Sequence, residues 1–136
     1  MRTTRPHAKK CKGATLSPTS PKRPARGEIW IVNFDPTVGA EIKKKRPAVI
    51  ISSDAVGILP VKLVAPITEW DARFARNVWH VRVDPNPQNG LTKPSAVDAL
   101  QVRSVDTQRL ITCIGRLFPD QLAEIAAAVA AVIEYA

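Results

Sequence analysis

Lys43, Lys44, Lys45 and Arg46 run without a break into Pro47 and the apolar stretch Ala48–Ile51. Four cations at the mouth of a strand suit a phosphate. By residue type the three lysines read as a solvated turn. Arg46 differs because of Pro47, which fixes its own φ and biases the residue before it to an extended conformation. Its guanidinium therefore leaves the loop in a constrained direction, and its planar fork of donors matches a phosphate. Thr68, at the end of the apolar run Val64–Thr68, offers a hydroxyl that two adjacent strands would bring to the same rim. Thr37 is a second hydroxyl beside a loop, and hydroxyls in such places are more often structural.

Other chemistries have little support. The chain has no phosphate-binding glycine loop, no dinucleotide glycine pattern, no HExxH and no CxxC. Its two histidines, His7 and His80, lie far apart, and His80 reads as a surface or half-buried strand residue, so a paired-histidine nuclease site is not expected. Cys11 and Cys113 form no metal pattern and no disulfide framework, which makes a reducing cytoplasm the default and Cys113 a small core residue. No metal or cofactor is expected.

The elements that must position Arg46 and Thr68 follow from the apolar pattern. Strands are expected in Glu28–Phe34, Pro47–Ser53, Val61–Thr68, Asn77–Val83, Ser95–Val102 and Leu110–Phe118. Arg103–Leu110 reads as a short helical turn, and Pro66 suggests a strand end or an edge. In Asn77–Val83 the residues Val78, His80 and Arg82 alternate with Trp79, Val81 and Val83. Leu122, Ile125, Ala126, Val129, Val132 and Ile133 share one face of a terminal helix that starts at Pro119-Asp120. About six short strands and one helix predict a mainly β chain, a small barrel or strongly bent sheet.

Charge is distributed unevenly. The 136 residues carry a net charge of +8. Residues 1–26 hold eight cations and no acid, whereas residues 27–136 hold 12 cations and 12 acids. The body is neutral, so a basic site on it must be local, and residues 43–46 are the dense cluster. Residues 1–25 contain four prolines and a single large aliphatic, Leu16, too little apolar surface to offset ordering entropy. They are expected to form a disordered, basic, dispensable tail. A misassigned start and an organellar address are alternatives, the prolines arguing against the latter. No apolar run approaches the length of a membrane span.

The blocks RGEIW, DPTVGAE, RPAVIIS, APIT and LQVRSVD, followed by the Leu/Ala-rich helix, resemble the MazF/PemK family of toxin-antitoxin endoribonucleases over residues 26–136. The resemblance implies an SH3-like barrel of the MazF/PemK/CcdB type with a C-terminal helix, assembled as a homodimer. It implies sequence-specific, metal-independent cleavage of single-stranded RNA, leaving a 2′,3′-cyclic phosphate and a 5′-hydroxyl. The family's catalytic arginine and threonine map to Arg46 and Thr68, and its supporting glutamate maps to Glu41. Its RNA-proximal glutamine maps to Gln101. Some members use an aspartate before that glutamine and an arginine two residues earlier, but here Leu100 and Asp98 occupy those places. The implied partners are an antitoxin with an acidic disordered arm and, for that complex only, promoter DNA.

Lys44 and Lys45 are candidates to steer RNA. Phe34 and Trp70 sit beside loops, where stacking on bases and packing compete, while Trp30 and Trp79 read as core. Two other functions share the same features. One is a toxin of this fold that binds a topoisomerase without cleaving, and the presence of Arg46 and Thr68 argues against it. The other is a nucleic-acid-binding regulator whose basic tail supplies the affinity.

Overall fold

A computed structural model describes Cys11 and residues 23–135. Most of the expected tail, with His7 and Leu16, lies outside the described residues. Among those residues seven strands form one sheet: β1 Glu28–Asn33, β2 Lys45–Ile50, β3 Val61–Glu69, β4 His80–Val83, β5 Ser95–Asp98, β6 Arg103–Asp106 and β7 Leu110–Arg116. Helix α1 spans Pro119–Val132. The strand order is β4-β5-β3-β2-β1-β7, with β6 also paired to β3. The mainly β architecture with a C-terminal helix is the expected one. The bent sheet is barrel-like but does not close.

β1, β2 and β3 read as nearly continuous apolar runs because both of their faces are covered. Ile29, Val49, Ala65, Ile67, Val83 and Val97 pack with Leu122 and Ile125 of α1 on one face. Trp30, Val32, Ala48, Ile50 and Val64 pack with Phe34, Val105 and Leu110 on the other. The period of two separates the clusters residue by residue along each strand. On α1 the buried positions are Leu122, Ile125 and Ala128. The expected face is therefore rotated slightly, with Ala126 turned outward and Ile133 67% exposed beyond the helix end.

β3 organises the molecule. It pairs with β2 through Ala48↔Pro66, Val49↔Ala65 and Ile50↔Val64. Its other edge takes β6 opposite residues 61–64 and β5 opposite residues 67–69. β5 and β6 are thus one strand interrupted by the 3-10 turn Ala99–Gln101. The interruption falls opposite Ala65 and Pro66. Ile51 N donates to Leu63 O at 2.9 Å, so odd residues of this stretch bond toward β2 and even ones toward the interrupted edge. Pro66, which has no N–H, faces the gap where no ladder bond is lost. It is therefore neither at a strand end nor on an outer edge. The stretch Arg103–Leu110, expected as a helical turn, splits into β6 and the 3-10 turn Thr107–Arg109. β6 is extended because β3 offers it an unpaired edge.

The two cysteines also differ from expectation. Cys11 and Cys113 are joined as a disulfide, with Cα atoms 6.0 Å apart and a sequence separation of 102. Cys11 is buried, and Cys113 packs against the second apolar cluster. Sequence spacing hides the pair because β7 brings Cys113 to a site that only the fold creates.

Candidate functional site

Arg46 lies in β2, and its backbone pairs with Val32 of β1. Every β2–β3 pair has residue numbers summing to 114, including the Ile51–Leu63 bond. The last pair of that register, Ala48↔Pro66, lies two residues inside Arg46 on β2 and two inside Thr68 on β3. Both have the parity of Ala48 and Pro66, so both belong to the same sheet face. The two candidates that the sequence places 22 residues apart thus lie near the ends of two paired strands.

A cavity of about 420 Å³ opens at Pro66, two residues from Thr68, lined by Phe34, Ala40, Glu41, Ile42, Pro66 and Leu100–Arg103. It exists because the turn Ala99–Gln101 leaves β3 uncovered at Pro66. Arg46 and Thr68 line neither this cavity nor the larger spaces of about 640 Å³ near Arg23 and Ile58 and about 760 Å³ near Lys45 and Arg109.

The loop from Asn33 to Lys45 forms the other wall. Its base is closed by Phe34 N donating to Lys44 O at 3.0 Å and Lys44 N donating to Asp35 Oδ1 at 3.0 Å. Lys44 has φ of 72°, a left-handed conformation costly for a residue with a Cβ. These two bonds hold it there. Arg109 Nη1 donates to Asn33 O at 3.0 Å and to Asp35 O at 2.6 Å. Arg103 Nη1 donates to Phe34 O at 3.4 Å, and its guanidinium carbon lies 5.8 Å from the Phe34 ring centre. Sequence reading missed these two arginines. The available signal was a cation at each end of the block Arg103–Arg109.

Further out, Val38 N donates to Glu41 Oε1 at 2.6 Å, so Glu41 closes its own turn while remaining exposed. Gln101 spends both ends of its amide on this loop. Ile42 N donates to Oε1 at 2.7 Å, and Nε2 donates to Ala40 O at 3.2 Å. Arg46 Nε donates to Lys43 O at 2.9 Å. That bond anchors one edge of the guanidinium. Among the described residues no carboxylate forms an ion pair with Arg46, so its charge is available to an anion.

Phe34 and Trp70 separate. Phe34 is fully buried in the second cluster. It packs, and no ring face is offered to a base, because Arg103 and the loop close over it. Trp70 is half-buried, with its ring 5.9 Å from Phe74 and the Arg82 guanidinium carbon 5.2 Å from its centre. Arg82 and Arg73 are each matched by an acid, at 3.0 Å to Asp84 and 3.0 Å to Asp71. The Arg73 guanidinium lowers the Asp71 carboxyl below its ordinary value through their hydrogen bond. The Trp70 end of the site is therefore closer to neutral than the Lys43–Arg46 end. Lys43, Lys44 and Lys45 are all exposed.

Metal ligation has one geometric candidate among the described residues: Cys11, Glu28 and Cys113, whose ligand atoms lie within 4.8 Å of one another. The sulfurs are bonded to each other, and Glu28 Oε1 accepts from Ala25 N at 2.9 Å and Trp30 Nε1 at 3.0 Å. Those groups tie the chain entry to the sheet, and neither sulfur is a thiolate.

A bent antiparallel β-sheet with one terminal helix, carrying Arg46 and Thr68 near the ends of two paired strands, defines a small mainly β domain. The comparisons give that class a family. Residues 25–133 match the PemK-like, MazF-like toxin of type II toxin-antitoxin systems, and the chain belongs to this family. It is 35% identical over 107 residues to endoribonuclease MazF9 of Mycobacterium tuberculosis, covering 74% of this chain and 87% of that protein. The structure of Mycobacterium tuberculosis toxin MazF-mt6 superposes with a TM-score of 0.64 at 28% identity, covering 79% of this chain and 96% of that one. A mycobacterial endoribonuclease solved with its cognate antitoxin shares the fold, with a TM-score of 0.66 at 18% identity over 83% of this chain and 97% of that one.

Proposed function

We propose that this protein is the toxin of a type II toxin-antitoxin pair and acts as a metal-independent endoribonuclease on single-stranded RNA, stopping translation and growth. The observation that supports the reading is the β2–β3 pairing, whose extension by two residues would face Arg46 with Thr68 near the cavity at Pro66. The names of the relatives support the same activity. The antitoxin, with an acidic disordered arm, would compete with RNA for the Lys43–Arg46 rim. Homodimer formation and promoter binding by the toxin-antitoxin complex belong to the same proposal.

In the reaction a ribose 2′-oxygen attacks the adjacent phosphorus. The 2′-O–P bond forms and the P–O5′ bond breaks. The 2′-hydroxyl proton leaves to water and the departing 5′-oxygen gains one, giving a 2′,3′-cyclic phosphate and a 5′-hydroxyl. An arginine holds its proton too tightly to serve as base. Arg46 therefore stabilises charge on the phosphoryl oxygens and donates a hydrogen bond to the leaving oxygen. Thr68 fixes the phosphate through its hydroxyl. Glu41 shapes the loop wall and is the further candidate for contact with substrate. Lys44 and Lys45 steer the backbone, and Trp70 offers a partly exposed ring. The strand must be single, because attack requires a splayed backbone.

The test is incubation of a long, weakly structured RNA with wild type and with Arg46→Ala in the presence of chelator, followed by mapping of the cut ends. Discrete cuts with 5′-hydroxyl ends, lost in Arg46→Ala, are expected. Cutting by Arg46→Ala at the wild-type rate would sink the assignment.

A further inference from the structure

We propose that Gln101 is a positioning residue that sets the aim of Arg46, and that it does not read RNA. The inference rests on the nuclease reading above, but its central observation is independent of RNA. Both polar atoms of the Gln101 amide are already committed. Oε1 accepts from Ile42 N and Nε2 donates to Ala40 O, at 2.7 and 3.2 Å. Ala40 and Ile42 flank the bend at Glu41, and Gln101 spans it by bonding one backbone group on each side. One N–H and one lone pair stay open, but the two bonds lock the plane of the amide to the loop, so turning it onto a base edge would break them.

The clamp has a rigid base. Gln101 closes the 3-10 turn that interrupts β5 and β6. Asp98 Oδ1 accepts from Leu100 N at 3.0 Å and from Gln101 N at 3.3 Å, so the turn is capped from within. Ala99 N donates to Trp79 O at 2.8 Å. Asp98 also lies 3.7 Å from His80 Nε2, and His80 stacks on Phe74 with ring centres 3.8 Å apart. The turn is therefore fixed to β4, β5 and β6 before it meets the loop.

The clamp also has a short path to Arg46. Ile42 is followed by Lys43, whose carbonyl accepts from Arg46 Nε at 2.9 Å. Holding Ile42 fixes the carbonyl that orients the guanidinium. A displaced catalytic group of this kind slows reaction without changing what is recognised. A base-reading glutamine would do the reverse.

The experiment compares full-length wild type, Gln101→Ala and Gln101→Glu by amide hydrogen exchange without RNA and by single-turnover cleavage with cut-site mapping. In Gln101→Ala, exchange at Ile42 should rise about tenfold while amides of β1–β3 stay protected, as expected for loss of one net hydrogen bond. Gln101→Glu keeps an acceptor for Ile42 N and should keep most of that protection. Its lost donor to Ala40 O allows only partial recovery of rate. In Gln101→Ala the cleavage rate should fall roughly tenfold or more, with KM nearly unchanged and the same cut sequences in the same order of preference. Altered cut sequences with Ile42 still protected would overturn the proposal. So would unchanged exchange at Ile42 in Gln101→Ala. If wild type cuts no RNA, the nuclease reading fails while the exchange result still decides the clamp.

Discussion

Arg46 is half-buried, held by one carbonyl and aimed by a proline, and that combination distinguishes a guanidinium from an ammonium. Arg46→Lys keeps the charge but loses the fork and the Nε bond to Lys43 O. Single-turnover cleavage should fall about 10²-fold or more, with a smaller effect on RNA binding. Thr68→Ser should retain most activity, and Thr68→Ala should lose roughly tenfold, because a hydroxyl positions the phosphate. Replacing Lys43, Lys44 and Lys45 with alanine should weaken RNA binding at low salt, and the difference should shrink as salt rises. That Arg46 and Thr68 sit near strand ends was legible in the sequence because proline rules and strand ends are local. Gln101, Arg103 and Arg109 were not legible as loop anchors. Their partners lie 59 to 76 residues away, and only the folded sheet brings them together.

The elements were readable wherever continuous apolar runs carry the information, as in β1 and β2, whereas the alternation expected over Asn77–Val83 yields strand only at His80–Val83, with a turn at residues 78–79. They were obscure at the β5–β6 interruption. Nothing local distinguishes one long strand from two strands with a turn between them, and the outcome depends on Pro66 across the sheet. A second such element is the loop 84–91, which packs on the end of β7. Gly90 has φ of 69°, and a Cβ there would meet the backbone carbonyl of Ile114. A Cβ on Gly115 would in turn meet the backbone of Asn89. Neither side can yield, because both clashes are backbone to Cβ. Gly90→Ala should therefore lower the unfolding free energy by about 2–4 kcal/mol in denaturant titration.

The whole molecule is a sheet whose first described residue is bonded to its last strand. Cys113→Ser removes that link, and thermal or denaturant unfolding should show a loss of about 2–4 kcal/mol relative to the oxidised wild type. Arg46 and Thr68 lie in β2 and β3, away from the bond, so cleavage under folded conditions should be preserved. The same link decides how the protein bears a load. A chain pulled by its two ends transmits force from residue 11 directly to residue 113, then through the end of β7 and α1. β1 to β6 sit inside the closed ring and feel no tension. The ring withholds 102 residues, about 350 Å of contour at full extension, from any stretching force or translocating machine until the bond is reduced.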